Sequence, residues 1–344
     1  MMRIAFVGNY QYNCGSSNAL LGYVRAGKTL GYDVRASEFG FIDKAVRAKV
    51  PVARKSWKPD LLLIVFESYQ FLSNKDIDQI CTITPRSKRI IIDPDGKYSK
   101  PAYSSGDTNH PSESSYIFWQ SLYNSLSDVI LQPYIGPRNR GKIKPFFYFG
   151  IDNSFVIQSK SKSYDMIYVG NNWYKWHDFK NLVEFITPIR NRLKTITLVG
   201  KYWLGELMPG YEEAIYTDPD FLKKNGIKVM KSASYGRVEY TMSRGLLNPI
   251  LVRPILNHMG FITPRMFETF NADTVPLIPN YFTHSNELYG GYSTKLKISN
   301  DPKDIMSILN NYEEYMELSQ KIRQMLKTKH SYEVRLNELI KFVQ

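Results

Sequence analysis

The stretch Asp-Leu-Leu-Leu-Ile-Val-Phe at residues 60–66 is apolar from Leu61 through Phe66. A strand with one wet face alternates polar and apolar side chains. An unbroken apolar run is what a strand covered on both faces of a parallel sheet requires. Similar runs recur at 3–8 (RIAFVG), 89–93 (RIIID) and 128–133 (DVILQP). Between them the period changes to that of helices. Residues 17–30 place Ala19, Leu20, Tyr23, Val24 and Leu30 on one side, and Gly31 closes the helix. A strand at 33–39 (DVRASEF), a long helix near 112–126, and a last strand with its exit turn at 144–152 (KPFFYFGID) complete the series. Such alternation predicts an open, doubly wound sheet.

A second series begins after the polar, serine-rich segment 152–163, which reads as a linker. Its strands are expected at 164–170 (YDMIYVG), 195–200 (TITLVG), 226–230 (GIKVM), 274–279 (TVPLIP) and 294–299 (TKLKIS). Helices are expected near 178–192, 235–246 and 264–272, then near 301–326 and 332–343. With 344 residues the chain exceeds what one core usually holds. The expected domains are 1–152, 153–330 and a final helix, 331–344, folding back on the first. Ligands bind at the carboxyl ends of the strands in such sheets, so the two domains should present their sites to one central cleft.

Composition narrows the class. No run reaches the ~18 consecutive apolar residues of a membrane span. The opening Met-Met-Arg-Ile-Ala-Phe-Val-Gly is too short for a signal-peptide core, so a cytoplasmic location is the expectation. Cys14 and Cys81 form no metal-binding pattern, the five histidines are scattered, and neither metal nor cofactor is expected. The net charge is +13. Residues 1–150 hold 20 Lys and Arg against 12 Asp and Glu, a net of +8; the remainder holds 25 against 20, a net of +5. Lys44, Arg47, Lys49, Arg54, Lys55 and Lys58 form a run without an acidic residue. That surface suits a nucleotide-sugar, anionic lipid or nucleic acid, and equally a solvated face with no partner.

Several residues are candidates for chemistry. In 258–279 (HMGFITPRMFETFNADTVPLIP), Thr263, Pro264 and Arg265 open a helix bearing Glu268. Helix-start amides and a fixed guanidinium favour an anion, and a carboxylate one turn on accepts hydrogen bonds from vicinal hydroxyls. The same spacing also describes a capped helix with an exposed Arg–Glu pair. Asp93 and Asp95 follow a buried strand, where they can serve an acceptor hydroxyl as a base or simply build an Asp-Pro-Asp-Gly turn. Asp107 and His110 precede a helix; His110 can steady charge on a transferred sugar or cap its loop. Asn9, Gly15 and Ser16 belong to a glycine loop that can admit acceptor or phosphate, though it is neither GxGxxG nor a P-loop. Trp173 and Trp176 can stack on a ring or pack inside.

The segment FITPRMFETFNADTVPLIP (261–279) resembles the nucleotide-sugar motif of GT-B glycosyltransferases, above all the spore-maturation (CgeB-like) group. Its pattern is an Arg-x-Phe-Glu helix, a small residue and a Pro-Leu strand. YDMIYVGNNWYKW (164–176) is similar to the opening of the same domain, PFFYFGID (145–152) to the interdomain crossing, and DGKYSKPAYSSGDTNHP (95–111) with Trp119 to the first domain of a bacterial subgroup. Asp273 stands where the family often has glycine. The resemblance implies a GT-B fold of two Rossmann-like domains and a retaining, metal-independent transfer from a nucleoside diphosphate sugar. It implies that Glu268 holds the ribose, that Arg265 braces the diphosphate, and that Gly170, Asn171 and Asn172 run beneath the phosphates. Lys175 would neutralise the phosphates, and Gly200 and Lys201 would lie near the nucleotide. The acceptor is left open among a glycan, a lipid, a small metabolite and DNA with hydroxylated bases. Phage DNA glucosyltransferases share the fold, and the excess of +8 suits a duplex. A membrane reading uses Val50, Val52 and Trp57 within the basic stretch, so peripheral attachment is an alternative. A non-catalytic nucleotide-sugar sensor and an epimerase are the remaining rivals.

Overall fold

The apolar runs at 3–8, 60–66, 89–93 and 128–133 become parallel strands, whereas near the expected strand 144–152 only Ile143–Pro145 is one; the strands form two separate sheets. The computed structural model describes residues 1–67, 72–99, 113–136, 141–155, 161–299 and 301–344. Asp107 and His110 lie outside the described residues.

One unit comprises Met1–Ser154, His258–Pro264 and Thr328–Gln344. Its strands are β1 (Arg3–Tyr10), β2 (Asp33–Ser37), β3 (Phe41–Ile42), β4 (Val52–Ala53), β5 (Leu61–Val65), β6 (Arg89–Ile92), β7 (Val129–Gln132) and β8 (Ile143–Pro145). They lie in the order β4-β2-β1-β5-β6-β7-β8, with β3 beside the end of β1. β1 meets β5 from Ile4 opposite Leu61 to Gly8 opposite Val65. Leu61 through Phe66 are all buried, as the unbroken run demands, and each contributes roughly 1.5–3 kcal/mol of transfer free energy. The chain order reverses between β1 and β5, which makes their carboxyl ends the topological switch point of this sheet.

The helix Gly15–Leu30 returns from β1 and ends at Gly31, whose φ of 75° is a left-handed cap that glycine adopts without strain. Against it packs the last helix, Tyr332–Lys341. Gly22 makes that contact: a β-carbon there would come within 2.3 Å of the Tyr332 ring. The segment 258–264, expected in the second domain, belongs here as well. Phe261 pairs with Tyr134 in an antiparallel bridge, and Ile262 N donates to Pro133 O at 2.6 Å.

The other unit comprises Phe155–Asn257 and Arg265–Lys327. Its strands are β9 (Tyr164–Val169), β10 (Ile196–Val199), β11 (Ile227–Met230), β12 (Gly245–Pro249), β13 (Val275–Pro279) and β14 (Lys297–Ile298). They are all parallel, in the order β11-β10-β9-β12-β13-β14, with the switch between β9 and β12.

The central strand β12 differs from the sequence expectation of a helix over 235–246. The helix is only Val238–Met242, and the chain then turns into the sheet. Gly245 permits this, because a β-carbon there would lie 2.3 Å from Ile167 Cγ2 of β9. The helix expected over 178–192 stops at Phe185 and continues as the 3-10 turn Thr187–Arg192, where Pro188 has no N–H to give. The helix expected over 301–326 is two, Pro302–Asn310 and Tyr312–His330. Among the described residues no helix is long and apolar enough to cross a membrane.

Candidate active site

In the second unit, two loops leave the carboxyl ends of β9 and β10 side by side. Gly170 and Gly200 let them meet: a β-carbon on Gly200 would lie 2.2 Å from Gly170 O. Asn171 Oδ1 accepts from Lys201 N at 3.0 Å and ties one loop to the other. Asn172 is buried; its Nδ2 donates to Ile215 O at 3.2 Å and Tyr216 O at 2.7 Å, and its Oδ1 accepts from Lys175 N at 3.3 Å. Both asparagine side chains therefore brace the loops. Tyr174 and Tyr202 have φ of 54° and 65°, a left-handed backbone that non-glycine residues adopt at a cost. The half-buried Trp173 ring lies 5.5 Å from Tyr211 and 6.2 Å from Tyr202. Trp176 instead packs inside, against Tyr216 and Phe221.

The helix Arg265–Asn271 is seven residues long, too short to present a substantial anion site through its amides alone. Its chemistry lies in side chains. The Arg265 guanidinium donates to Glu268 Oε2, with side-chain exposures of 17% and 7%. A pair that merely decorates a helix would be exposed; this one is sequestered. Burial works against the Arg265 charge, but Glu268, Tyr168 and Glu239 outweigh it and hold the guanidinium protonated above its usual value. The Tyr168 hydroxyl, buried without a hydrogen bond among the described residues, lies near both this pair and the loops. It would touch a β-carbon on Gly170 at 2.6 Å, and it lies beside Arg265. Asp273 is turned away from this edge: its carboxylate takes Lys162 Nζ at 3.0 Å, and its amide donates to Ser243 Oγ at 2.9 Å. Arg323 caps the same helix end, donating to Phe270 O and Ala272 O, each at 2.6 Å.

In the first unit, the carboxyl ends of β5 and β6 carry three carboxylates and a lysine. Asp93 is fully buried. It accepts from Lys97 N at 3.0 Å, Tyr98 N at 2.9 Å, Gln132 Nε2 at 2.8 Å and Tyr123 Oη at 3.3 Å. Four donors hold the carboxylate, which fits the turn-building alternative read from the sequence. Asp95 is half-buried and holds Lys97 Nζ at 2.8 Å; Lys97 Nζ also donates to Phe66 O at 3.3 Å. Glu67, which sequence reasoning missed, accepts from Ser16 N at 3.0 Å. Burial, then the nearby Asp95, pushes its carboxyl up. The sequence signal was its place one residue past the apolar run.

Asn9 sits within β1, buried, and not in the loop where it was expected. Burial pushes the Cys14 thiol up, and no nucleophile is made there. Two further residues went unread. Tyr281 donates to Asp178 Oδ2 at 2.5 Å, and burial pushes the Asp178 carboxyl up. The basic stretch keeps exposed cations, and its Val52 and Trp57 are half-buried. Val50 is buried, and the Trp57 ring centroid lies 5.1 Å from the Arg35 guanidinium carbon.

No protein-family model matches the sequence, and no curated protein does. Solved structures do. The fold is GT-B, shared with glycosyltransferases over the whole length of the chain. One such structure is the T4 phage β-glucosyltransferase, with a TM-score of 0.58, 15% identity and 100% of both chains covered. The same T4 phage enzyme with UDP and Mn2+ gives 0.59 at 15% identity, again over 100% of both chains. An α-glucosyltransferase with UDP and a 13-mer DNA containing a central A:G mismatch gives 0.64 at 10% identity, over 99% of both chains. At these identities the likeness is one of fold.

Proposed function

We propose that the protein is a glycosyltransferase that moves a sugar from a uridine diphosphate sugar to a hydroxyl group on DNA. The observation that carries this reading is the sequestered Arg265–Glu268 pair, with Tyr168 lying near both it and the glycine-paired loops at the edge of the second sheet. Glu268 accepts from the ribose hydroxyls. Arg265, Lys175 and Lys201 face the diphosphate, whose charge grows as the bond to the sugar breaks. Fixed cations in a partly dry site stabilise that charge without having to reorganise. Metal independence belongs to the same proposal, and transfer measured with chelator and with Mn2+ checks it. The Arg-x-Phe-Glu helix and its Pro-Leu strand support a place near the CgeB-like group within the fold.

For the acceptor, charge favours DNA. Lys44, Arg47, Arg54 and Lys58 are exposed along the β3–β4 edge of the first sheet, where phosphates can be neutralised. A lipid surface would need apolar residues to insert, and of Val50, Val52 and Trp57 the first is buried and the other two are half-buried. Two structures of the same fold support both halves: one was determined in the presence and absence of uridine diphosphoglucose, the other with DNA.

A thermal-shift screen of UDP-, GDP-, ADP- and CDP-sugars should single out a UDP-sugar, because a ligand bound to the folded state raises the melting temperature by mass action. Mass spectrometry should then show one hexose added to DNA carrying hydroxymethylated bases and none to unmodified DNA. No shift with any donor sinks the donor reading. A shift without transfer to DNA sinks only the acceptor.

A further inference from the structure

We propose that Glu67 is the general base that takes the proton of the acceptor hydroxyl. This rests on the glycosyltransferase reading above. The residue stands just past β5, at the switch point of the first sheet, where α/β sheets bind their ligands. It also occupies the start of the 16-residue helix Gly15–Leu30 through the amide of Ser16. That position is where a phosphate would otherwise dock. A resident carboxylate there repels the donor diphosphate and admits a neutral hydroxyl.

A second observation points to a ligand at the same place. The hydroxyl of Ser16 is buried, with the residue 1% exposed, and has no hydrogen-bond partner among the described residues. Only glycine fits beside it: a β-carbon on Gly15 would lie 2.8 Å from Pro264 Cγ and 3.7 Å from Glu67 Oε1.

The neighbouring carboxylates are otherwise engaged. Asp93 is filled by four donors, and Asp95 holds the Lys97 ammonium. Glu67 accepts from the backbone amide of Ser16, and burial, then Asp95, pushes its carboxyl up. A carboxylate whose proton affinity is raised takes the proton of a hydroxyl more readily. The groups that set its charge are Asp95 and Lys97 from the turn after β6, with Cys14 and Tyr148 close enough to feel it.

In the step itself the acceptor oxygen bonds to the anomeric carbon. The bond from that carbon to the phosphate oxygen breaks, and its electron pair leaves on the nucleoside diphosphate. The hydroxyl proton passes to Glu67 and then to water. A side-chain base serves attack from the face opposite the leaving group, so the proposal predicts an inverted product anomer. This departs from the retention implied by the family resemblance, in which the departing phosphate takes the proton.

Glu67→Gln tests it. Glutamine keeps the size and still accepts from Ser16 N, but it cannot take a proton. We expect kcat to fall about 100-fold or more, with the donor-induced thermal shift unchanged and NMR of the wild-type product showing inversion. A variant within about threefold of wild type overturns the proposal, as does a retained anomer. If Glu67→Gln does not fold, Asp95→Asn supplies the test. Removing the like charge should move the acid limb of the kcat/KM profile to lower pH, and an unmoved limb overturns the proposal. A wild-type protein with neither donor shift nor transfer would instead sink the function proposed above.

Discussion

The two sheets share a strand order, yet their matching edges carry opposite charge. At the switch of the first sheet, Glu67 sits on the helix start beside Asp95. At the switch of the second, Lys175 and Lys201 stand on the loops that leave β9 and β10, with Arg265 behind them. The second edge is not purely cationic, since Asp178 lies in the first turn of the helix Trp176–Phe185, held by Tyr281. The contrast shows that a duplicated scaffold leaves its chemistry to the turns. On the proposals above, one edge receives a proton and the other a phosphate.

The largest expected effect comes from breaking the second edge. Glu268→Ala leaves the Arg265 charge buried and unpaired, which should cost about 3 kcal/mol of stability. Thermal melts should show the loss, and UDP-sugar should no longer shift the transition. Glu268→Gln retains a hydrogen-bond acceptor, so it should restore most of the melting temperature but not the donor affinity. A donor shift of wild-type size in Glu268→Ala would remove the second edge from the comparison.

Next in size is the exchange of kinetic signatures between the edges. Lys175→Ala and Lys201→Ala should each weaken donor binding about 10-fold, as expected for one charge-assisted hydrogen bond. Titration calorimetry with UDP measures this. Glu67→Gln should do the reverse, lowering turnover and sparing donor affinity. If all three variants raise the donor Kd alike, the charge contrast has no functional meaning.

Much of the fold was legible because buried parallel strands write themselves as apolar runs. Leu61–Val65 and Arg89–Ile92 could be placed to within a residue or two. The strand Gly245–Pro249 could not. It has only two leucines before Asn248 and Pro249, and what makes it a strand is the space above Ile167 that Gly245 fills, a tertiary fact. The segment 258–264 likewise crosses units without any compositional signal. At the site, the spacing of Arg265 and Glu268 also described a capped helix with an exposed ion pair, and the resemblance singled them out; the structure buries the pair. Glu67 was not legible, because its importance depends on Ser16, 51 residues away in sequence. Asp93 shows the reverse. Its position past a buried strand was legible, but no local pattern reveals the four donors that hold it.

Acid should distinguish the units by a smaller amount. His330 belongs to the first, where burial, then Arg335 and Lys329, pulls its imidazole down to about 3. Its ring nitrogen accepts from the Arg335 guanidinium, which requires the neutral form. In the unfolded chain the ring protonates near its ordinary value of 6.5. Between those values the unfolded state binds more protons, so this residue's stabilising contribution is present above pH ~6.5 and falls by about 1 kcal/mol per pH unit as acid is added. Hydrogen exchange from pH 7 to 5 should show amides of the helix Tyr332–Lys341 losing protection before those of β9 and β12. His330→Gln should flatten the trend. Equal loss in both units would show that acid acts through other groups.

The smallest effect concerns the basic edge and separates it from both switch points. If Arg54 and Lys58 each neutralise a phosphate of duplex DNA, replacing either with alanine releases one counterion fewer on binding. The slope of log K against log salt should then become shallower by about 0.9 per residue. At any one salt concentration the affinity should change only severalfold, and turnover on a saturating acceptor should not change. The Lys175 and Lys201 variants should leave that slope untouched, because their anion belongs to the donor. A slope that changes with Lys175 but not with Arg54 would reverse the assignment. The second unit would then hold the acceptor, and the surplus of +8 in residues 1–150 would be a solvated surface.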